Sequence, residues 1–372
     1  MILCRSKITC YTLTKVLGRR FSTPICLPPP AEPIVTILDS LSTVGSNLAF
    51  LLKQHPLVKE LRVYDEQENT LGLAEDLNSI DTRTCIRSFS CRAMKDAIKG
   101  AHIVISTGDC QCKSGQTQKE LFAKNIDNVR NAAIFLSEFN PAAIFCIAKP
   151  PVEALVPMVT EEYKKTETYD PRKIIGVTTP FSVIASTMIA EHLKVDPGCL
   201  YCPIIGGMSP VSTVPVISQA RPKLEYNSKV YAQLQEEIAN AEETLLTKGS
   251  PMCYSNALAI TRFINLLLKA FRGERNCVEC AYVAQTGHIG DLLPYMTSIV
   301  QLGPQGVSST HMPRTNELEI ARLKAAVPHI LENILLGQTF LHGDFDLPFK
   351  PRKVCDEVLK QKVQECNQRA NM

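Results

Sequence analysis

The stretch IVTILDSLSTVGSNLAFLLKQHPLVKELRVYDE, residues 34–66, decides the fold. Its first five residues, IVTIL, predict a buried strand because they form a short apolar, β-branched run that ends at a turn. The apolar-periodic residues through Leu52 then predict a helix, and LRVYD (61–65) predicts a second strand. A strand, a helix and another strand in this order indicate a βαβ unit.

The same alternation continues to about residue 178. HIVIST (102–107) and AIFCIA (143–148) predict further strands between helices, so residues 32–178 are expected to form a doubly wound parallel sheet, the architecture of an α/β protein. Residues 179–338 predict an α+β domain. Its expected strands lie around 200–205, 212–217, 277–285 and 293–301, and its helices at 227–248, 252–272 and 314–336. Residues 339–372 are expected to be a C-terminal extension.

Composition limits the classes of function. Of 372 residues, 45% are hydrophobic and 21% charged, and apolar runs such as AAIFCIA (142–148) are too short to span a bilayer, so no membrane partner is expected. Residues 1–31 contain five basic residues and no acid, which is typical of a mitochondrial transit peptide. A disordered cytosolic arm is the alternative. Removing these five charges takes the net charge from +3 to −2, which gives no reason to expect nucleic acid.

Two C-x-x-C pairs, Cys199/Cys202 and Cys277/Cys280, have the spacing of a zinc site. The second pair lies in NCVECAYVA, which alternates like a strand. Residues three apart on a strand point to opposite faces, so these two thiols cannot share one ion. We therefore expect no metal, and interpret the four cysteines as small core residues.

Three longer motifs carry a resemblance to a known family. They are VYDExxxTxGxAxDL (63–77), KIIGVTT (173–179) and PIIGGxxxxxTVPxISQ (203–219). In this order and spacing the chain resembles the malate dehydrogenases of the mitochondrial type, in the lactate/malate dehydrogenase family, from Ile34 to about Phe340. The resemblance implies a Rossmann-like NAD-binding-type domain, an α+β C-terminal domain of that family, NAD as cofactor and a place in the mitochondrial matrix.

The resemblance also shows which catalytic residues are missing. In the family, the glycines matching Gly206-Gly207 precede the histidine that takes the proton from the substrate hydroxyl, and here Met208 follows them. The aspartate that orients this histidine is replaced by Phe181. A thioether cannot exchange a proton near neutral pH. His288, in the QTGHIGD turn, is the least implausible substitute base.

The substrate clamp is altered in the same way. Family members hold a dicarboxylate with two loop arginines and one helical arginine, and the matching positions here are Cys112, Gln118 and Ile184. The SNPVN segment after the fifth strand reads Lys149-Pro150-Pro151-Val152-Glu153. No catalytic position is intact, so affinity for oxaloacetate is expected to be low.

The cofactor turn keeps part of its pattern. Of the family's glycine positions after the first strand, only Gly45 is still glycine, and the others are Asp39, Ser42 and Thr43. An Asp39 carboxylate ~5 Å from a pyrophosphate would oppose it by about 3 kcal/mol at an effective dielectric of 20. Asp65 matches the position of a carboxylate that binds the hydroxyls of the adenine ribose. The alternative is an aspartate that only caps a helix or stabilises a turn. Asn125 also matches a residue near NAD, so residual binding is assigned to Gly45, Asp65 and Asn125.

Two hypotheses of different classes follow. The first is a catalytically impaired pseudoenzyme with a structural or regulatory role, acting as a homodimer or as a heterodimer with an active family member. Its pairing surface is expected on the helix after Val44, the helix beginning near Thr179 and the 227–248 region. The alternative is an active NAD-dependent malate dehydrogenase that interconverts malate and oxaloacetate in the tricarboxylic acid cycle.

Overall fold

The structure is a computed structural model that describes residues 33–66, 70–108 and 116–341. Its first elements match the expected βαβ unit: β1 spans Ile34–Leu38 and α1 spans Thr43–Lys53. Ser42 caps α1, because its side chain accepts a hydrogen bond from the Gly45 backbone N–H. The apolar side of α1 packs on the sheet in one cluster with the buried side chains of β1.

The first half of the described chain forms a parallel sheet in the order β3-β2-β1-β4-β5-β6. The remaining strands are β2 (Glu60–Tyr64), β3 (Cys85–Phe89), β4 (Ile103–Ser106), β5 (Ile144–Ile147) and β6 (Ile174–Val177). The helices are α2 (Thr70–Asn78), α3 (Met94–Ile98), α4 (Gln118–Phe139) and α5 (Val152–Lys165). The strand order reverses between β1 and β4, and open α/β sheets bind ligands at such a switch point.

The second half is α+β, as expected. Its strands are β7 (Ile204–Gly206), β8 (Thr213–Pro215), β9 (Val278–Ala284), β10 (Tyr295–Gly303) and β11 (Gly306–His311). Its helices are α6 (Thr179–Leu193), α7 (Ser228–Ala239), α8 (Ala241–Thr247), α9 (Cys253–Phe271), α10 (Gly287–Gly290) and α11 (Glu317–Phe340). β9 pairs antiparallel with β6, so one sheet continues through both halves. The domain boundary at residue 178 stays a prediction.

Several elements differ from the sequence-based expectation. The helix expected over 227–248 is two helices, because Asn240 ends α7 by bonding back to the carbonyl and the carboxylate of Glu236. β11 was not expected. The last helix continues to Phe340, since the Phe340 ring packs edge-on against Phe122 with their centroids 5.6 Å apart.

The core consists of three apolar clusters. One contains α4, α5 and α11, a second contains α1 and α9, and the smaller third lies beneath α6 and α7. The third contains Phe181, and Met208 packs against both the first and the third cluster. Met208 thus lies where the first and third clusters meet.

The cysteine interpretation needs one correction. Cys202, Cys277 and Cys280 are buried as expected, but Cys199 is exposed, because the short 3-10 helix Pro197–Cys199 lies at the surface. Within the described ranges, no group of His, Cys, Asp and Glu side chains is arranged to hold a metal ion. None of the helices described is both long and apolar enough to cross a membrane.

Candidate functional site

The turn between β1 and α1 keeps the shape of a glycine turn although most of its glycines are gone. Asp39 has a φ of +55°, in the left-handed region that favours glycine and that aspartate tolerates. Its carbonyl oxygen accepts hydrogen bonds from the Ser42 hydroxyl and the Ser42 backbone N–H. A Cβ on Gly45 would lie 2.4 Å from that oxygen, which explains why a glycine is needed there.

A lysine from another strand end closes this turn. Lys149, two residues after β5, places its Nζ 2.8 Å from Oδ2 of Asp39. Asn128 of α4 donates to Oδ1 at 3.3 Å. The aliphatic part of Lys149 passes over Gly108, where a Cβ would lie 2.7 Å from Cε of Lys149. The side chain therefore crosses the carboxyl ends of β5, β4 and β1, at the switch point of the sheet.

This pairing changes the argument about Asp39. The sequence-based expectation treated its carboxylate as an unpaired charge that repels a pyrophosphate. In the structure the ammonium of Lys149, whose side chain is 8% exposed, compensates that charge. An ion pair therefore lies beside the turn, where the sequence alone indicated an uncompensated negative charge.

Asp65 and Asn125, the other two residues that the resemblance places near a cofactor, form hydrogen bonds with backbone groups of this chain. Asp65 is buried, and its Oδ2 accepts a hydrogen bond from the Leu41 backbone N–H at 2.9 Å. This is the turn-holding geometry, the second of the two interpretations of Asp65. Asn125 is also buried, and its amide donates to the carbonyl oxygen of Pro150 at 2.6 Å. Asp65 thereby fixes the β1–α1 turn, and Asn125 fixes the segment that carries Lys149.

Four of the five residues that the family resemblance puts at catalytic positions line one cavity of about 280 Å³. They are Gln118, Phe181, Ile184 and Met208. Cys112, the fifth, lies outside the described residues. Other lining residues are Val44, Gln116, Leu121, Ala148, Pro150, Pro151, Val152, Glu153, Val177, Pro180, Pro210, Glu242, Glu243, Leu246, Met252, Asn256 and Ile260. The wall is therefore mainly apolar.

Glu153, in the first turn of α5, is a buried carboxylate in this wall. Its Oε1 accepts hydrogen bonds from the Met208 backbone N–H and the Ser212 hydroxyl. Its Oε2 accepts one from the Asn333 amide of α11, at 2.7 Å. These bonds tie α5 to the segment between β7 and β8 and to α11. The sequence placed Glu153 in the altered SNPVN segment but gave no sign of this network, because its donors are distant in the chain.

Two more carboxyl groups reach the cavity from α8. Glu242 and Glu243 are half-buried and adjacent, and neither was singled out from the sequence. Burial raises the pKa of Glu242 above its usual range, and the neighbouring Glu243 carboxylate raises it further. The described lining residues include no Lys, Arg or His. Their ionisable groups are three carboxyls.

His288, the substitute base considered from the sequence, lies apart from the residues that line the cavity. It lies in α10 with its side chain 58% exposed, and its Nδ1 is 3.9 Å from Oδ2 of Asp291. It is not among the residues that line the cavity. The position of the proton acceptor is held by Met208, and its family partner position by Phe181, which is 4% exposed.

Comparisons with known proteins match both halves of the chain to one family. Residues 35–176 match the NAD-binding domain of the lactate/malate dehydrogenase family, and residues 182–341 match its α/β C-terminal domain. The chain is 31% identical to mitochondrial malate dehydrogenase of Caenorhabditis elegans, over 84% of this chain and 92% of that protein. It is 33% identical to peroxisomal malate dehydrogenase 1 of Arabidopsis thaliana, over 82% and 87%.

Solved structures show the same fold. The apo malate dehydrogenase of Picrophilus torridus superposes with a TM-score of 0.71 at 16% identity, over 84% of this chain and all of that one. The malate dehydrogenase of Cryptosporidium parvum also gives 0.71, at 18% identity, over 83% and 99%. With both domains matched in order, and relatives above 30% identity over four fifths of its length, the chain belongs to the lactate/malate dehydrogenase family.

Proposed function

We propose that this chain is a catalytically impaired member of its family, a pseudoenzyme of the mitochondrial matrix whose role is structural or regulatory. The observation that carries the proposal is the cavity wall at Met208 and Phe181. Oxidation of an alcohol by hydride transfer requires that its hydroxyl proton is also removed, and neither side chain can accept that proton. The Glu153 carboxylate also lies in the wall, and three donors already hold its oxygens.

The wall also lacks the charge that a dicarboxylate needs. Gln118 and Ile184 stand at two of the three clamp positions and carry no positive charge. Glu242 and Glu243 add negative charge to the same cavity. Each charged hydrogen bond contributes about 1.5–3 kcal/mol, so loss of the clamp would remove much of the affinity for oxaloacetate.

Binding of NAD is proposed to be weak or lost. In the family, the backbone of the β1–α1 turn approaches the pyrophosphate closely. Here the ion pair of Asp39 and Lys149 fills the space beside this turn. Asp65 bonds the turn backbone. The turn residues therefore do not fit the cofactor as they stand, and no reaction step is assigned to it.

Dimerisation is the role that we propose to have persisted. α9 packs between α1 and α6, two of the helices named from the sequence, and α7 of the 227–248 region packs on α6. Large apolar side chains are exposed on these helices: Phe50 is 47% exposed on α1, and Tyr254 and Leu258 are 76% and 50% exposed on α9. A two-fold dimer would cover such side chains. The partner is a second copy or an active family member.

The decisive experiment is an activity assay. The purified chain is mixed with oxaloacetate and NADH, and the absorbance of the reduced nicotinamide is followed beside an active malate dehydrogenase. We expect no turnover above the enzyme-free background. A rate near ~10 per second, the median for enzymes, would favour the alternative, an active malate dehydrogenase of the tricarboxylic acid cycle. Fusing residues 1–31 to a fluorescent protein tests the matrix location.

A further inference from the structure

The ionisable groups of the cavity have the sign opposite to that of a dicarboxylate site. Among the described lining residues the only such groups are the carboxyls of Glu153, Glu242 and Glu243. The remaining described lining residues are apolar side chains and three amides, those of Gln116, Gln118 and Asn256. A carboxylate ligand would meet only negative charge on these walls, whereas a cation would be attracted to them.

The carboxyls are not equivalent. Glu153 is buried and bonded to Met208, Ser212 and Asn333, so it serves the fold. Glu242 differs, since no hydrogen-bond or ion-pair partner is found for it within the described residues. It is half-buried beside Glu243, and both conditions raise its pKa. A bound cation would supply the compensation that an ionised Glu242 lacks.

The rest of the cavity lining is suited to a hydrocarbon. Phe181, Ile184 and Met208 line the cavity and pack together in the third apolar cluster, and Leu246, Met252 and Ile260 line the same cavity. Phe181 is buried, and the thioethers of Met208 and Met252 adapt to irregular shapes. The volume of about 280 Å³ is close to the lower end of the ~300–1,000 Å³ typical of small-molecule sites.

We propose that this cavity binds a small amine, with its ammonium group against Glu242 and its apolar body against Phe181, Ile184 and Met208. The inference rests on the proposed function, because a cavity that still turned over oxaloacetate would have to favour anions. It names the class of ligand that the altered site accepts. The charge of Glu242 selects the ligand, and contact with the apolar lining residues holds its hydrocarbon part.

Three probes of equal chain length test the proposal: hexylamine, hexanol and hexanoate. Each is titrated into the full chain at pH 7 and followed by calorimetry. At this pH the amine is protonated, since alkyl ammonium groups titrate at a pKa of about 10. We expect hexylamine to bind at least tenfold more tightly than either of the other two. Equal affinity for all three, or no binding of hexylamine, would overturn the proposal.

Variants locate the site. Glu242→Gln should weaken hexylamine at least tenfold while keeping the size of the side chain, and Glu332→Gln, an exposed position on α11 outside the cavity, should change it less than twofold. Ile184→Lys, which puts a cation into the cavity, should favour hexanoate over hexylamine. Unchanged binding of hexylamine by Glu242→Gln contradicts the proposal, and so does an unchanged preference in Ile184→Lys.

The same preparation separates this inference from the proposed function. Turnover of oxaloacetate with NADH would contradict the pseudoenzyme, whatever hexylamine does. Absent turnover together with absent hexylamine binding would overturn only the amine site. The two failures are therefore distinguishable in one set of measurements.

Discussion

The Nζ atom of Lys149 lies 2.8 Å from Oδ2 of Asp39, although the two residues are 110 positions apart in the chain. Their contact joins the carboxyl ends of β5 and β1 across β4. The exposed fractions of the two side chains are 8% and 16%, so water screens the pair only partly. The contact can stabilise the turn without a bound cofactor. It also gives a reason for an aspartate at a position where the positive φ favours glycine.

Removing the lysine should destabilise the fold. Lys149→Ala leaves the Asp39 carboxylate largely buried without its cation, and we expect the free energy of unfolding to fall by about 1–3 kcal/mol. Asp39→Gly suits the positive φ of the turn and should recover part of this loss when combined with Lys149→Ala. Urea unfolding of the two single variants and the double variant measures the coupling. Additive effects would mean that the pair contributes nothing.

The same substitutions should reopen the turn to a nucleotide. A ligand present at a hundred times its dissociation constant stabilises the native state by about 2.7 kcal/mol. Millimolar NAD should not raise the melting temperature of the wild-type chain, and it should raise that of the double variant Asp39→Gly, Lys149→Ala. A rise of several degrees in the wild type would show that the ion pair does not block the site.

Restoring the histidine alone should not restore catalysis. Met208→His provides a base, but Phe181 offers it no carboxylate, and Gln118 and Ile184 still carry no charge for the substrate. Groups that act as a unit are strongly non-additive. We expect malate oxidation by this variant to stay at the wild-type background in an assay beside an active family member. Substantial turnover would show that orientation and substrate binding had never been lost.

The convergence of the replaced positions was predictable. Gln118, Phe181, Ile184 and Met208 were identified from motifs whose spacing fixes their places at strand ends and helix starts, and the structure brings them into one cavity. Strand ends of a parallel sheet meet at one edge, so the motifs were sufficient to expect them at this edge.

The contacts that give the altered site its character were not predictable. The sequence predicts no contact of Lys149 with Asp39, because this contact depends on the space above Gly108 and on the φ of Asp39. Glu153 finds its partners 55, 59 and 180 residues away. Glu242 lies in the first turn of α8, a separate helix that begins after α7 ends at Asn240, and it lines the cavity. Tertiary packing determines the contacts of Lys149 and Glu153 and the placement of Glu242.

Stability should depend on pH through Glu279. Burial raises the pKa of this β9 carboxyl from 4.5 to about 7, while the Cys280 backbone N–H and Arg262 favour its charged form. Between these two values the folded chain binds the extra proton, so stability falls as the pH rises through this window and stays low above pH 7. Glu279→Gln should therefore stabilise the chain at pH 8 by up to roughly 3 kcal/mol, and much less at pH 5.

Urea unfolding at both pH values is the measurement, with the exposed Glu332→Gln as control. An equal effect at both pH values would exclude titration of Glu279 as the cause.

If the proposed dimer forms through α1, one charged substitution on the exposed face of this helix should dissociate it. Phe50→Asp puts a carboxylate on the exposed side of α1, and if this face pairs with another chain, the charge is buried without a partner and the dimer dissociates. Phe139→Asp is the matched control, because Phe139 is 40% exposed on α4, which packs in a different core cluster from α1 and α9.

Light scattering at micromolar concentration should give a dimer for the wild type and the control, and a monomer for Phe50→Asp. Mixing each with an active family member tests the heterodimer in the same way. A wild-type chain that is monomeric alone and in the mixture would remove the dimerisation role, and a dimer unaffected by Phe50→Asp would place the pairing surface elsewhere.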